Sequence, residues 1–285
     1  MKTKCPPDFI GIGAMRCGTT WISDKLRQHP EIFLPNNYKE LHFFNSNYSN
    51  GIEWYENKFL GKTDTQISGE FTPKYLRDNE SPFLIKKHYP NVKLIISIRN
   101  PIDRAFSHYN FLRKHSKISE NFYQALFDEQ HEIRKAGLYG QQIKTYLDLF
   151  PPDKIHIIVF DDLKKSPDNV VKKLYNFLNV STDFKPKDLE KIINARREVR
   201  YQLLENVINK TKRSIRPYIK NRNMLKKFGF HYLLAIFNTI NSKKIIKKEI
   251  DYDAKKYLME YYKNDFKICN KILSGKIAHW LNYEI

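Results

Sequence analysis

The chain has 285 residues, of which 41% are hydrophobic, and a formal net charge of +19. That length allows one sizeable α/β domain, or a domain with an appendage, and no apolar run reaches the roughly eighteen residues of a membrane span. The charge implies acidic partners such as a nucleotide, an anionic substrate or nucleic acid, but no nucleic-acid reader motif is present, so nucleic acid is not expected. Three cysteines, Cys5, Cys17 and Cys269, are odd in number and far apart, which speaks against a disulfide framework and fits a reducing compartment. The basic start, Met1 to Pro7, reaches a strand without the apolar stretch of a signal peptide. A cytoplasmic protein is therefore expected, and the glycosylation triplets at Asn47, Asn179 and Asn209 are read as chance.

In chain order, residues 8–13 read as a buried strand, followed by a helix from about Thr19 to Gln28 that His29-Pro30 stops. Glu31 to Leu34 reads as a short strand, and residues 36–65 as an aromatic, loop-rich cover. Ile67 to Glu70 is a further strand, and Ser81 is expected to cap a helix ending before Pro90. The continuous apolar run 93–98 predicts a buried parallel strand, with a helix over 101–115 that has Pro101 near its start. Helices at about 120–134 and 138–149 lead to Pro151-Pro152, then a strand from Lys154 to Phe160. A helix from Asp168 carries Val171, Leu174, Tyr175 and Leu178 at helical spacing. From about 185 onward the chain reads helical, with an apolar core segment at Phe230 to Ile240 and a last helix near 253–273. The alternation predicts an α/β fold, a mostly parallel sheet flanked by helices. One domain is expected, with its α/β core at about 8–180 and a helical, basic part at about 185–285.

Two junctions carry the chemistry. Phe9 to Trp21 is strand, glycine-bearing loop and helix start, which aims backbone N–H groups and the helix dipole at an anion. From Gly13 to Gly18 the loop nearly fits G-x-x-x-x-G-K-[ST], but Thr19 stands in the lysine position and a cation, Arg16, lies inside the loop. A phosphate or phosphosulfate suits that arrangement better than a triphosphate. The second junction, Arg99-Asn100-Pro101, sits at the carboxyl end of strand 93–98, where open α/β sheets bind ligands. Arg104 and Ser107 follow on the helix; Arg104 is equally well explained by a surface ion pair with Asp103 or Glu120.

The loop Arg16-Cys17-Gly18-Thr19-Thr20-Trp21 and the segment Arg99-Asn100-Pro101 with Ser107 resemble the two cofactor motifs of sulfotransferases. Those enzymes use 3′-phosphoadenosine 5′-phosphosulfate (PAPS) and release adenosine 3′,5′-bisphosphate (PAP). The resemblance continues through Lys39-Glu40-Leu41-His42-Phe43-Phe44, Gly69 to Pro73, Gly137-Leu138-Tyr139, Leu273-Ser274-Gly275 and His279-Trp280-Leu281. It implies a P-loop-like sulfotransferase fold. It places Arg16, Cys17, Gly18, Thr19 and Thr20 around the 5′ end, Arg99 and Ser107 on the 3′-phosphate, Trp21 on adenine and Tyr139 along the nucleotide. By the same resemblance Glu40 is the base, its pKa raised if it is buried beside Phe43 and Phe44. His42 is a second base or an orienter, and Arg16 stabilises the departing phosphate. A lysine of related glycan enzymes is replaced here by Phe71, with Lys74 as a substitute in doubt. A late basic loop over the 3′-phosphate is sought among Arg196, Arg197 and Arg200, or in Lys210-Thr211-Lys212-Arg213.

Sulfuryl transfer needs a stabilised leaving phosphate, a deprotonated acceptor and in-line geometry, and it requires no metal. No metal-ligand spacing is found. The acceptor is a hydroxyl, ahead of an amine, of a small molecule or glycan, with lipid and specialised metabolite left open. Two other readings compete. A nucleotide kinase or NTPase is suggested by Ile157 to Asp162, a strand ending in acids. A non-catalytic glycan- or nucleic-acid-binding protein is suggested by residues 206–248, which hold twelve Lys or Arg and no Asp or Glu. That stretch reads either as a solvated face or as a lid for an anionic acceptor. Cys17 lies near a helix start, but the arginine that a phosphatase cysteine needs six residues on is Ser23.

Overall fold

The computed structural model describes residues 5–35, 40–115, 117–190, 198–199, 242–243 and 250–280. The chain divides into two compact units: Met1–Lys191 with Ile250–Ile285, and Ile192–Glu249. Within the second unit, the described residues form one antiparallel pair, Glu198–Val199 with Ser242–Lys243. Lys39, Arg196, Arg197, Arg200, Lys210 to Arg213, the 206–248 stretch apart from that strand pair, Phe230 to Ile240 and Leu281 lie outside the described residues.

The first unit is built on five strands: β1 (Phe9–Gly13), β2 (Ile32–Phe33), β3 (Ile67–Phe71), β4 (Lys93–Ile98) and β5 (Ile155–Val159). They pair in parallel in the order β2-β3-β1-β4-β5. β1 is buried at every position and β4 at all but its first, which is why both read as unbroken apolar runs. The chain leaves β1 toward β2 and β3 on one side, then crosses to β4 on the other. That reversal makes the carboxyl ends of β1 and β4 a topological switch point, where open α/β sheets bind ligands.

The helices that frame the site are α1 (Thr19–Arg27), the one-turn α2 (Phe43–Ser46), α3 (Ile52–Glu56), α4 (Ser81–His88) and α5 (Pro101–Lys114). α5 starts as its sequence dictates: Pro101 takes the first position and the Asn100 side chain accepts from the N–H of Ile102 and Asp103. Beyond them lie α6 (Phe122–Ala125), α7 (Tyr139–Leu149), α8 (Phe160–Lys165), α9 (Pro167–Leu178) and α10 (Tyr252–Ile272). Buried Asp265 on α10 accepts from the N–H of Gly140 and Gln141, both at 2.9 Å, and so supplies the cap that α7 lacks in its own sequence. No helix among the described residues is long and apolar enough to cross a membrane.

Two expectations fail locally. Ser81 is not the cap of α4 but its first residue; Asp78 Oδ1 accepts from the N–H of Glu80 and Ser81. The helix expected over 120–134 shrinks to Phe122–Ala125, because the Asp128 side chain takes the N–H groups of Gln130 and His131 and diverts the backbone.

Candidate active site

The β1–α1 loop is tied to β4. Ala14 N–H donates to Ser97 O at 2.7 Å, and Ser97 Oγ donates to Cys17 O at 2.6 Å. Gly18 has φ 86, and a Cβ there would come to 3.0 Å from Leu163 and Phe160, so the position requires glycine. Arg16 is also left-handed, at φ 68. The first turn of α1 at Thr19 and Thr20 presents N–H groups that a helix cannot satisfy internally. Cys17 and Tyr139 pack together under this loop, with Sγ 3.5 Å from the phenol oxygen. Burial pushes the Cys17 thiol and the Tyr139 phenol up, so both stay neutral. Trp21 is buried and its Nε1–H donates to Leu189 O at 3.2 Å.

The second junction meets the first. Arg16 Nε–H donates to Ser107 Oγ at 3.3 Å, and its guanidinium lies 4.9 Å from the Phe111 ring centroid, one turn along α5. Arg99 pairs with Asp103 at 3.3 Å and sits 5.0 Å over the Phe160 ring. Its Nε is buried with no hydrogen-bond partner. A buried donor left unpaired at a strand end fits an anionic oxygen. Arg104 is not the surface ion pair considered from sequence. It is fully buried and donates to the Ile133 carbonyl, because α5 turns that face toward the core. His108, the next residue after Ser107, is buried and held down to about 2 by desolvation first, then by Arg104, Arg77, Arg16 and His131.

Glu40 and His42 form a pair, Oε2 to Nε2 at 3.1 Å, with each side chain 30% exposed. Glu40 does not meet the condition of burial beside Phe43 and Phe44, which pack in an aromatic core with Tyr55 and Tyr75. The buried carboxylate is Glu70, at the end of β3. Its raised pKa comes from desolvation, opposed by three hydroxyl hydrogen bonds. Sequence offered Glu70 only as part of a resembling segment; the hydroxyls at Thr72 and Tyr75 just beyond it were the available signal. Phe71 lies buried over Gly11, where a Cβ would come to 2.0 Å from its ring, while Lys74 is exposed. The acids after β5 are engaged: Asp161 accepts from Trp280 Nε1–H at 2.7 Å and contacts His279 at 3.1 Å, and Asp162 pairs with Lys276 at 2.6 Å.

Arg16, Arg99 and Ser107, and the Glu40–His42 pair through Thr72, thus gather at the carboxyl ends of three neighbouring strands, β1, β4 and β3. The sulfotransferase domain family matches residues 6–267. The chain is 26% identical to the membrane-associated sulfotransferase kil1 of Dictyostelium discoideum, covering 63% of this chain and 57% of that protein. It is 30% identical to the human bifunctional heparan sulfate N-deacetylase/N-sulfotransferase 3, over 61% of this chain and 22% of that one. The chain spans little more than half the length of the first and about a fifth of the second. A sulfotransferase from Alicyclobacillus acidocaldarius has the same fold, with a TM-score of 0.70 at 24% identity over 96% of this chain and 98% of that one.

Proposed function

The chain belongs to the sulfotransferase domain family, and we propose that it moves a sulfuryl group from PAPS to a hydroxyl of an acceptor. The observation that carries this reading is the 3.3 Å contact of Arg16 with Ser107, which joins the two anion-binding junctions into one site. PAPS supplies the activated sulfuryl group and PAP is the leaving group. Arg99, with its orphaned Nε, and Ser107 hold the 3′-phosphate. The N–H groups of Gly18, Thr19 and Thr20 cradle the 5′ end at the start of α1. Glu40 takes the acceptor proton as the acceptor oxygen bonds to sulfur, and His42, 3.1 Å away, orients it. Arg16 neutralises the charge that grows on the phosphate oxygen as the sulfur–oxygen bond breaks. A carbohydrate is the first acceptor class, since relatives are named for heparan sulfate, with its hydroxyls ahead of its amines; small-molecule hydroxyls come second.

The test follows PAP release from PAPS with and without a heparosan-type oligosaccharide. Acceptor-stimulated release is expected, and Glu40→Gln is expected to lower it about 10²–10⁴-fold, the usual worth of a general base. Release unaffected by that change would remove Glu40 from the chemistry.

A further inference from the structure

Glu70 has no direct place in the chemistry above, yet it is the most enclosed carboxylate near the site. It is 3% exposed and its partners are three hydroxyls. Oε1 accepts from Tyr75 at 2.9 Å and from Tyr55 at 3.2 Å, and Oε2 accepts from Thr72 at 2.7 Å. Two of these hydroxyls are acceptors in turn. Thr72 Oγ1 accepts from the N–H of Leu41 at 3.1 Å and of His42 at 3.2 Å. Tyr75 OH accepts from the N–H of Phe43 at 2.7 Å and of Phe44 at 3.3 Å.

A hydroxyl has one proton. Once it is committed to Glu70, the oxygen lone pairs are left to face the backbone donors. One carboxylate thereby fixes two hydroxyls, and the two hydroxyls catch four consecutive N–H groups at the entry to α2. Helix entries leave such donors without internal partners. The same segment carries Glu40 and His42, and His42 is held at φ 52. A non-glycine residue there is strained and persists only where its surroundings over-determine it. Glutamine cannot reproduce the arrangement, because its amide nitrogen donates where Thr72 or Tyr75 needs an acceptor.

We propose that Glu70 is a positioning residue: through the hydroxyls of Thr72 and Tyr75 it sets the backbone of residues 41–44 and so the placement of the Glu40–His42 pair. The role rests on the reading of Glu40 as the base, and only the turnover measurement below depends on that reading.

The experiment compares the full chain with Glu70→Gln, Thr72→Val, Thr72→Ser and Tyr75→Phe by residue-resolved amide hydrogen exchange, by calorimetry with PAP, and by PAP release from PAPS with the heparosan-type oligosaccharide. Glu70→Gln is expected to speed exchange at Leu41 to Phe44 about tenfold or more, with β4 amides unchanged. Thr72→Val should speed Leu41 and His42 alone, Tyr75→Phe should speed Phe43 and Phe44 alone, and Thr72→Ser should restore the native pattern. PAP affinity should stay within about twofold, while kcat falls about tenfold or more with little change in KM. Unchanged exchange at 41–44 in Glu70→Gln, or kcat at the native value despite faster exchange, overturns the proposal. If Glu70→Gln fails to fold, the split between Thr72→Val and Tyr75→Phe decides it, and loss of both patches in either variant counts against it. Absence of release stimulated by this oligosaccharide in the unaltered chain would instead remove the carbohydrate as acceptor, with the exchange pattern still judging the network.

Discussion

Arg16 at φ 68 and His42 at φ 52 are left-handed non-glycine residues, and each is a candidate for direct contact with the reacting groups. Strained residues concentrate where a site dictates geometry over propensity. Neither angle is legible in the sequence, and both residues meet partners distant in the chain: the Arg16 side chain meets Ser107, and the His42 N–H meets Thr72. Arg16 and Arg99 stand out in the sequence because strand–loop–helix junctions announce themselves, and Ser107 through the family resemblance; the structure brings Arg16 and Ser107 together. The exposure of Glu40 and the burial of Arg104 and Glu70 were not legible, because both depend on which face of an element turns inward. Ser97 shows how tightly the loop is held. Replacing Ser97 by Ala removes the donor to the buried Cys17 carbonyl. A loss of about 1–3 kcal/mol in urea unfolding is expected, with weaker PAP binding. Unchanged stability and affinity would mean the loop does not rely on β4.

At the scale of elements, β1, β4, α1 and α5 followed from sequence almost residue for residue, through continuous apolar runs, Pro101 and the Asn100 cap. The stretch after α5 did not, since its apolar spacing suits a helix while Asp128 competes for the backbone. Phe71 is an element-level feature as well. Its ring occupies the space left by Gly11 on the adjacent strand, so the two positions form one packing unit. Gly11→Ala is expected to cost about 1–3 kcal/mol or more through overpacking, and Gly11→Ala with Phe71→Ala less than the two single losses added. Additive losses in urea unfolding would refute the coupling.

For the whole molecule, the charge of +19 matches the predicted trade in anions. It also bears on acid stability through His108, which the fold holds neutral down to about 2 against an ordinary value of 6.5. Below that ordinary value the unfolded chain takes up a proton that the folded chain refuses, so stability falls as pH falls through and below it. The loss from this residue is about 2 kcal/mol between about pH 7.5 and about pH 5. His156, lowered to about 4 by burial and nearby lysines, acts in the same sense. Glu70 and Asp265, whose folded values are raised by burial, act in the opposite sense at lower pH. Comparing the full chain with His108→Phe therefore isolates the histidine: the variant should lose about 2 kcal/mol less over that range. Parallel curves would show that His108 is solvated in the folded protein.

The junctions after β1 and β4 together are expected to bind a nucleotide carrying a 3′-phosphate. Calorimetric titration of the full chain with PAP, ADP and magnesium-ATP tests it directly. PAP should bind well above ADP, and Arg99→Ala should weaken PAP about 10–100-fold, the worth of a charge-assisted contact. Binding of magnesium-ATP with none of PAP would contradict the account and put a nucleotide kinase in its place.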